Sequence, residues 1–293
     1  MNVCVIGAGT MGHGIAQVSA MGGHDVTLRD IEDGLVADGL AAIEANLDGG
    51  VERGKVSEDE REATLARLDG TTDLAEAVAD AGLVVEAVPE DEELKKQVLS
   101  DVSDHAPADA VLATNTSSLP VTSIASALDE PSRCVGLHFF NPPHIMQLVE
   151  VVLAEQTSVE TREFAESFVD GVGRTAVVVE DAPGFATSRL GVALGVEAVR
   201  MVESGVASPR DIDAAMELGY NHPMGPLELG DVVGLDVRLD ILEHLREELG
   251  ERFRPPSLLR KKVRAGKLGK KTGEGFYVWE DGEIVGVSGE NDA

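Results

Sequence analysis

Residues Asn2–Ile6 read as an apolar strand, and Gly7, Gly9 and Gly12 follow at once in "IGAGTMGHGIAQ", at the mouth of an amphipathic run. Three glycines at that spacing leave the backbone few options. The first permits a tight turn, the second lets the main chain approach a pyrophosphate, and the third lets helix pack closely on strand. The amides that open the helix, around Thr10 and Met11, then offer their dipole to the anion. A second strand, Asp25–Arg29, ends at Asp30, 18 residues beyond Gly12, which completes a β-α-β outline. An acid there can accept hydrogen bonds from both hydroxyls of an adenosine ribose and repels a 2′-phosphate, so NAD is expected over NADP.

Downstream, "DGLVADGLAAIEANLDGGVERGK" and "SEDEREATLARL" carry alanine and leucine at helical spacing, with Ser57 and Glu60 placed as a capping box. They predict a helical hairpin outside a sheet. Strands are read in "AGLVVEAVPE", "AVLATNT", "RCVGLHFF", "QLVEVVLA" and "RTAVVVED", separated by helical patterns such as "DEELKKQVLSDVSDHA". That alternation predicts an α/β fold, a doubly wound and mostly parallel sheet wrapped by helices. After "DAPGFATSRLG" the strands stop, and residues 188 to 264 read as helical, with Ser208 and Pro209 as N-cap and first helical residue. The expected division is a nucleotide-binding domain over residues 1–183 and an all-helical domain over 184–293. The terminal "SGENDA" is expected to fray.

A length of 293 residues suits two domains with full cores. Cys4 and Cys134 lie in apolar runs where a thiol behaves as a small buried hydrophobe, so no disulfide is expected. The seven histidines show no metal-ligand spacing, and no metal is expected. No apolar run reaches membrane-spanning length and the chain starts in a strand, so a cytoplasmic protein without membrane contact is expected. A net charge of -29 opposes nucleic-acid binding, which needs a positive footprint. Acids are spread along the chain, only 8 of the 24 basic residues are lysine, and aromatics make up 3%. That pattern resembles proteins from salt-loving cytosols, and it predicts salt-dependent folding, because self-repulsion is screened at high ionic strength.

One stretch, "LHFFNPPHIMQLVEVV", puts two titratable residues, His138 and Glu150, into a run otherwise apolar enough to be core. A histidine so placed is more often a satisfied core residue than a catalyst. The motifs around it weigh the other way. "GAGTMGHGIAQ", "VVEAVPEDEELKK", "NTSSL", "GLHFFNP", "LVEVV", "PGFATSRL", "GYNHPMGPLEL" and "KTGEGFY" together resemble the 3-hydroxyacyl-CoA dehydrogenases over nearly the whole chain.

The resemblance implies an NAD-dependent oxidation of (S)-3-hydroxyacyl-CoA to 3-oxoacyl-CoA. It implies that His138 is the general base, that Glu150 orients it, and that Ser117 hydrogen-bonds substrate and cofactor. Asn141 is implied as a nicotinamide-side contact, with Glu90, Lys95 and Lys271 near the cofactor. The sequence departs from the family's pattern at Ser188, where the familiar members carry an asparagine that helps hold the acyl carbonyl. Gap-free counting from Asp30 puts Asn46 and Arg53 at the family's CoA-binding positions. A homodimer formed through the helical domain is implied too. His222 of "GYNHPMGP" is read as a structural turn. Residues 260–271, "RKKVRAGKLGKK", hold seven basic side chains, open to either phosphate binding or internal pairing. Two other readings stay open: a dehydrogenase of free hydroxy or sugar acids, similar to gulonate dehydrogenases, and an NAD-binding protein without turnover.

Overall fold

The computed structural model describes residues 1–289; the last four residues of the terminus expected to fray lie outside the described residues. The chain divides into two units between Phe185 and Ala186, where the sequence put the division between 183 and 184.

In the N-terminal unit, eight strands form one sheet: β1 (Asn2–Ile6), β2 (Asp25–Arg29), β3 (Leu68–Thr71), β4 (Leu83–Glu86), β5 (Val111–Thr114), β6 (Cys134–Phe139), β7 (Leu148–Leu153) and β8 (Thr175–Glu180). Their spatial order is β3-β2-β1-β4-β5-β6-β7-β8, and every neighbouring pair is parallel except β6 with β7. The chain leaves β1 toward β2 and β3 on one side and later returns to β4 on the other. That reversal makes the switch point at which open α/β sheets bind ligands, beyond the carboxyl ends of the strands.

Helices α1 (Thr10–Met21), α2 (Asp33–Glu52), α3 (Glu58–Leu65), α4 (Leu74–Val78), α5 (Glu92–Ser103), α6 (Val121–Ala125) and α7 (Val159–Gly171) connect the strands. Side chains alternate across the sheet, and two cores result. Val3, Val5, Leu83, Val85, Leu137 and Phe139 enter one core, while Cys4, Ile6, Val84, Leu112, Cys134 and Val152 enter the other. Both thiols are free, and burial pushes each up to about 12, so they act as core atoms. The capping box of Ser57 and Glu60 starts α3, and α2 with α3 forms the helical hairpin. Strand β3 has no counterpart in the sequence reading, because "LDGT" carries neither a β-branched run nor clear alternation.

The C-terminal unit contains α8 (Thr187–Glu203), α9 (Pro209–Tyr220), α10 (Pro226–Val233), α11 (Leu235–Leu249) and α12 (Ser257–Arg264). Ser208 caps α9 through the Asp211 amide, with Pro209 at the first position. The expectation of an all-helical unit is corrected. Strands β9 (Tyr277–Glu280) and β10 (Glu283–Val287) form an antiparallel hairpin. Its turn, Asp281–Gly282, has positive φ at both residues, the geometry that matches the twist of two-residue hairpins.

Two buried aspartates fasten that hairpin to the helices. Asp231 accepts the Phe276 and Tyr277 amides and Trp279 Nε1–H, and Asp213 accepts the Tyr277 hydroxyl and the first amides of α10. The basic stretch 260–271 lies in this frame and is largely paired within it. Arg260 meets Glu243, Lys267 meets Glu274, Lys271 meets Asp236, Lys262 donates to the Gly275 carbonyl, and Lys270 lies over the Trp279 ring.

Candidate active site

At the end of β1 the three glycines take the separate parts their spacing predicts. Gly7 turns at φ +100°, and a Cβ there would stand 2.7 Å from the Ala87 carbonyl oxygen. A Cβ on Gly12 would fall 1.7 Å from the Gly7 carbonyl oxygen, so only hydrogen lets α1 start against the turn. Gly9 has ordinary φ and nothing within 4 Å of its Cβ position, so its missing side chain leaves room outside the protein. Gly9 is also the N-cap of α1 and makes no side-chain cap. The amides of Thr10, Met11 and Gly12 are thereby left to an outside acceptor. Asp30, at the end of β2, steadies this loop: its Oδ2 accepts the Ala8 amide at 2.6 Å and its Oδ1 the Ile31 amide at 2.7 Å. Each carboxylate oxygen has a further lone pair for a ribose hydroxyl. An open N-terminus and an acid beside it fit NAD.

The histidine and glutamate, 12 residues apart, become direct neighbours because β6 and β7 are antiparallel and His138 stands opposite Glu150 in their register. His138 Nδ1 and Glu150 Oε2 are 2.8 Å apart, with His138 6% exposed and Glu150 fully buried. An ionised carboxylate only accepts, so Nδ1 carries the hydrogen and the Nε2 lone pair points away from the pair. The ring lies 4.4 Å from Phe140 and 5.8 Å from Phe185, centroid to centroid.

A second network forms at the ends of β4 and β5. Lys95 is completely buried and donates to Glu86 Oε1 at 2.7 Å and to the Val88 carbonyl at 3.2 Å. Its Nζ stands 3.6 Å from Glu90. Glu86 also accepts from Thr114 Oγ1 at 2.6 Å, and burial, outweighing these partners, pushes its carboxyl up. Glu90 accepts Thr116 Oγ1–H at 2.6 Å, the Ser117 amide at 2.9 Å, and more weakly the hydroxyls of Ser117 and Ser118. Burial raises Glu90, but those donors and the Lys95 charge outweigh it and hold the carboxyl below its usual 4.5. The sequence reading puts Lys95 near the cofactor. With no exposed side-chain surface, Lys95 reaches a ligand only through Glu90. Glu86, Asn115 and Thr116 were missed. Asn115 Oδ1 accepts the Phe139 amide at 3.0 Å and ties the Ser117 loop to the strand that carries His138. All three lie inside the motifs quoted above, and for Glu86 a strand-end acid ahead of a lysine was the available signal.

Of the remaining residues, Asn141 is exposed and makes no side-chain hydrogen bond to another described residue. Asn46, half-buried on α2, donates to Gln17 of α1 at 3.2 Å. Exposed Arg53 follows α2, and its charge, with those of His13 and Arg174, adds to burial in holding His144 below the usual 6.5. Ser188 and Lys271 belong to the C-terminal unit. The first is half-buried in the opening turn of α8, and the second is held by Asp236 at 2.7 Å. His222 follows the left-handed Asn221 that ends α9. Among the described residues no cluster of three or more histidine, cysteine, aspartate or glutamate side chains is placed to hold a metal. Nor is any helix long and apolar enough to cross a membrane.

A dinucleotide cradle on a parallel sheet, beside a histidine with one ring nitrogen held by a buried carboxylate, defines a nicotinamide-dependent dehydrogenase. Residues 2–182 match the "3-hydroxyacyl-CoA dehydrogenase, NAD binding domain" and residues 184–279 the "3-hydroxyacyl-CoA dehydrogenase, C-terminal domain". The chain belongs to the 3-hydroxyacyl-CoA dehydrogenase family. It is 44% identical to a probable 3-hydroxybutyryl-CoA dehydrogenase of Deinococcus radiodurans, over 94% of this chain and 99% of that one. It is 43% identical to a 3-hydroxybutyryl-CoA dehydrogenase of Mycobacterium tuberculosis, over 94% and 98%. The crystal structure of (S)-3-hydroxybutyryl-CoA dehydrogenase PaaH1 from Ralstonia eutropha superposes with a TM-score of 0.92 at 38% identity, covering 96% of this chain and 99% of that chain.

Proposed function

We propose that the protein oxidises (S)-3-hydroxyacyl-CoA to 3-oxoacyl-CoA, reversibly and with NAD. The observation that carries this reading is the buried pair of His138 Nδ1 and Glu150, which leaves Nε2 as the basic nitrogen. An alcohol carbon releases hydride readily only as its O–H proton is removed. Nε2 takes that proton, Glu150 stabilises the positive imidazole that results, and the reverse reaction returns the proton to the carbonyl oxygen. Such a base typically contributes ~10²–10⁴ in rate. NAD, when bound, supplies the hydride acceptor. Ser117, steadied by Glu90, and Asn141 orient the reacting groups.

The CoA moiety is assigned to Asn46 and Arg53. The charges of Arg53 and Arg174, both of which bear on His144, support this on a strongly acidic chain. We further infer a homodimer built through the C-terminal unit. Leu190, Leu218 and Tyr220 there are 72%, 88% and 75% exposed, an apolar surface suited to a second copy. The decisive experiment follows NADH absorbance in molar KCl, offering acetoacetyl-CoA and, separately, free acetoacetate. Oxidation with the thioester alone is the expected result. Oxidation with the free acid would favour the gulonate dehydrogenase-like reading, and silence from folded, NADH-binding protein would favour a non-catalytic one.

A further inference from the structure

Three described residues other than glycine have positive φ: Phe185, Asn221 and Asp281. Asn221 ends a helix and Asp281 turns a hairpin, places where a short polar side chain tolerates the left-handed region. Phe185 has no such excuse. It follows Gly184 at φ +75°, itself takes φ +47°, and is only 5% exposed. Its ring joins the core that contains Val121, Ile124 and Val152, and stands 5.8 Å from the His138 imidazole at an interplanar angle of 56°. Phe140 stands 4.4 Å from the same imidazole at 41°.

We propose that Phe185 is a positioning residue, whose ring, held by a strained backbone, acts with Phe140 to fix the plane of the His138 imidazole. The Glu150 hydrogen bond fixes one ring atom but lets the ring pivot about that contact. Two aromatic neighbours at different tilts remove the pivot and aim Nε2. A bulky residue persists in the left-handed region only where the surroundings over-determine it, and such residues gather at functional sites. Leucine keeps the position apolar, though smaller, and has no flat face to set a ring against. This proposal rests on His138 being the general base.

The test compares His138→Gln, Phe185→Leu and Phe185→Tyr, each normalised to the fraction of protein that binds NADH. Displacing a reacting group by about 1 Å costs as much as ~10²-fold. Phe185→Leu should therefore lower kcat by about 10- to 100-fold while the KM for each substrate changes less than about twofold. The primary isotope effect from 3-deuterated substrate should rise as the chemical step becomes rate-limiting, and Phe185→Tyr should restore most of kcat. If the leucine variant does not fold, Phe185→Met carries the same comparison. An inactive His138→Gln beside a Phe185→Leu of normal kcat, or of lowered kcat with an unchanged isotope effect, would overturn the proposal. So would a folded tyrosine variant no better than leucine. A His138→Gln variant with near-normal turnover would instead overturn the base itself.

Discussion

At the scale of single residues, the buried pair makes the sharpest demands. His138→Gln should lower kcat by about 10²- to 10⁴-fold with NADH affinity preserved, and stopped-flow hydride transfer is the measurement. Asp30→Ala should raise the KM for NAD and leave kcat nearly unchanged, because it removes an interaction that ground state and transition state share. Glu90 sets a pH dependence. Its folded value lies below 4.5, so its contacts stabilise the fold fully above 4.5, the unfolded value, and are lost as pH falls through the folded one. Glu90→Gln should flatten that acid limb in a denaturation series from pH 6 downward. His138 and Glu150 stand out in sequence as polar residues in an apolar run, and Asp30 as an acid at a strand end, while the role of the pair came from the motifs around it. Phe185 and Asn115 were not. A phenylalanine in an apolar stretch reads as core, and nothing in the letters reveals its φ or the ring beside it.

At the scale of elements, the glycine turn separates folding from binding. Gly12→Ala meets the Gly7 carbonyl and should destabilise the N-terminal unit. Gly9→Ala meets nothing and should keep the wild-type Tm while weakening NADH binding, which isothermal titration would measure. Equal losses of Tm in both would contradict the assignment. In the hairpin, Asp231→Asn replaces one acceptor oxygen with a donor against the Phe276 or Tyr277 amide and should cost about 2–4 kcal/mol. Strand order was not readable in the letters, but the β-α-β opening and the alternation of strands with helices were, since apolar runs and helical spacing mark each kind of element. The missed hairpin had a legible signal in "YVWEDGEIV", an Asp-Gly pair between apolar alternations. The helical pattern that precedes it dominates the reading of this unit. The basic stretch shows the converse. Its charge was plain, while its partners, Glu243, Glu274 and Asp236, lie up to 35 positions away in sequence and only folding brings them together.

At the scale of the whole molecule, charge decides. With 53 acidic against 24 basic residues, much of the acid surface has no cation to meet. Raising KCl from about 0.1 M to 1 M shortens the Debye length from ~10 Å to ~3 Å, so Tm should climb steeply across that range. A flat response would show that the acids repel one another too weakly to matter. How that transition is watched matters too. The single tryptophan, Trp279, and both tyrosines, Tyr220 and Tyr277, lie in the C-terminal unit, with Trp279 hydrogen-bonded to buried Asp231. Intrinsic emission is therefore blind to the nucleotide-binding sheet, and the environment of one indole reports whether the hairpin is still docked. Far-ultraviolet circular dichroism sees both units. A salt titration recorded both ways would resolve whether the halves of this chain let go together or in turn.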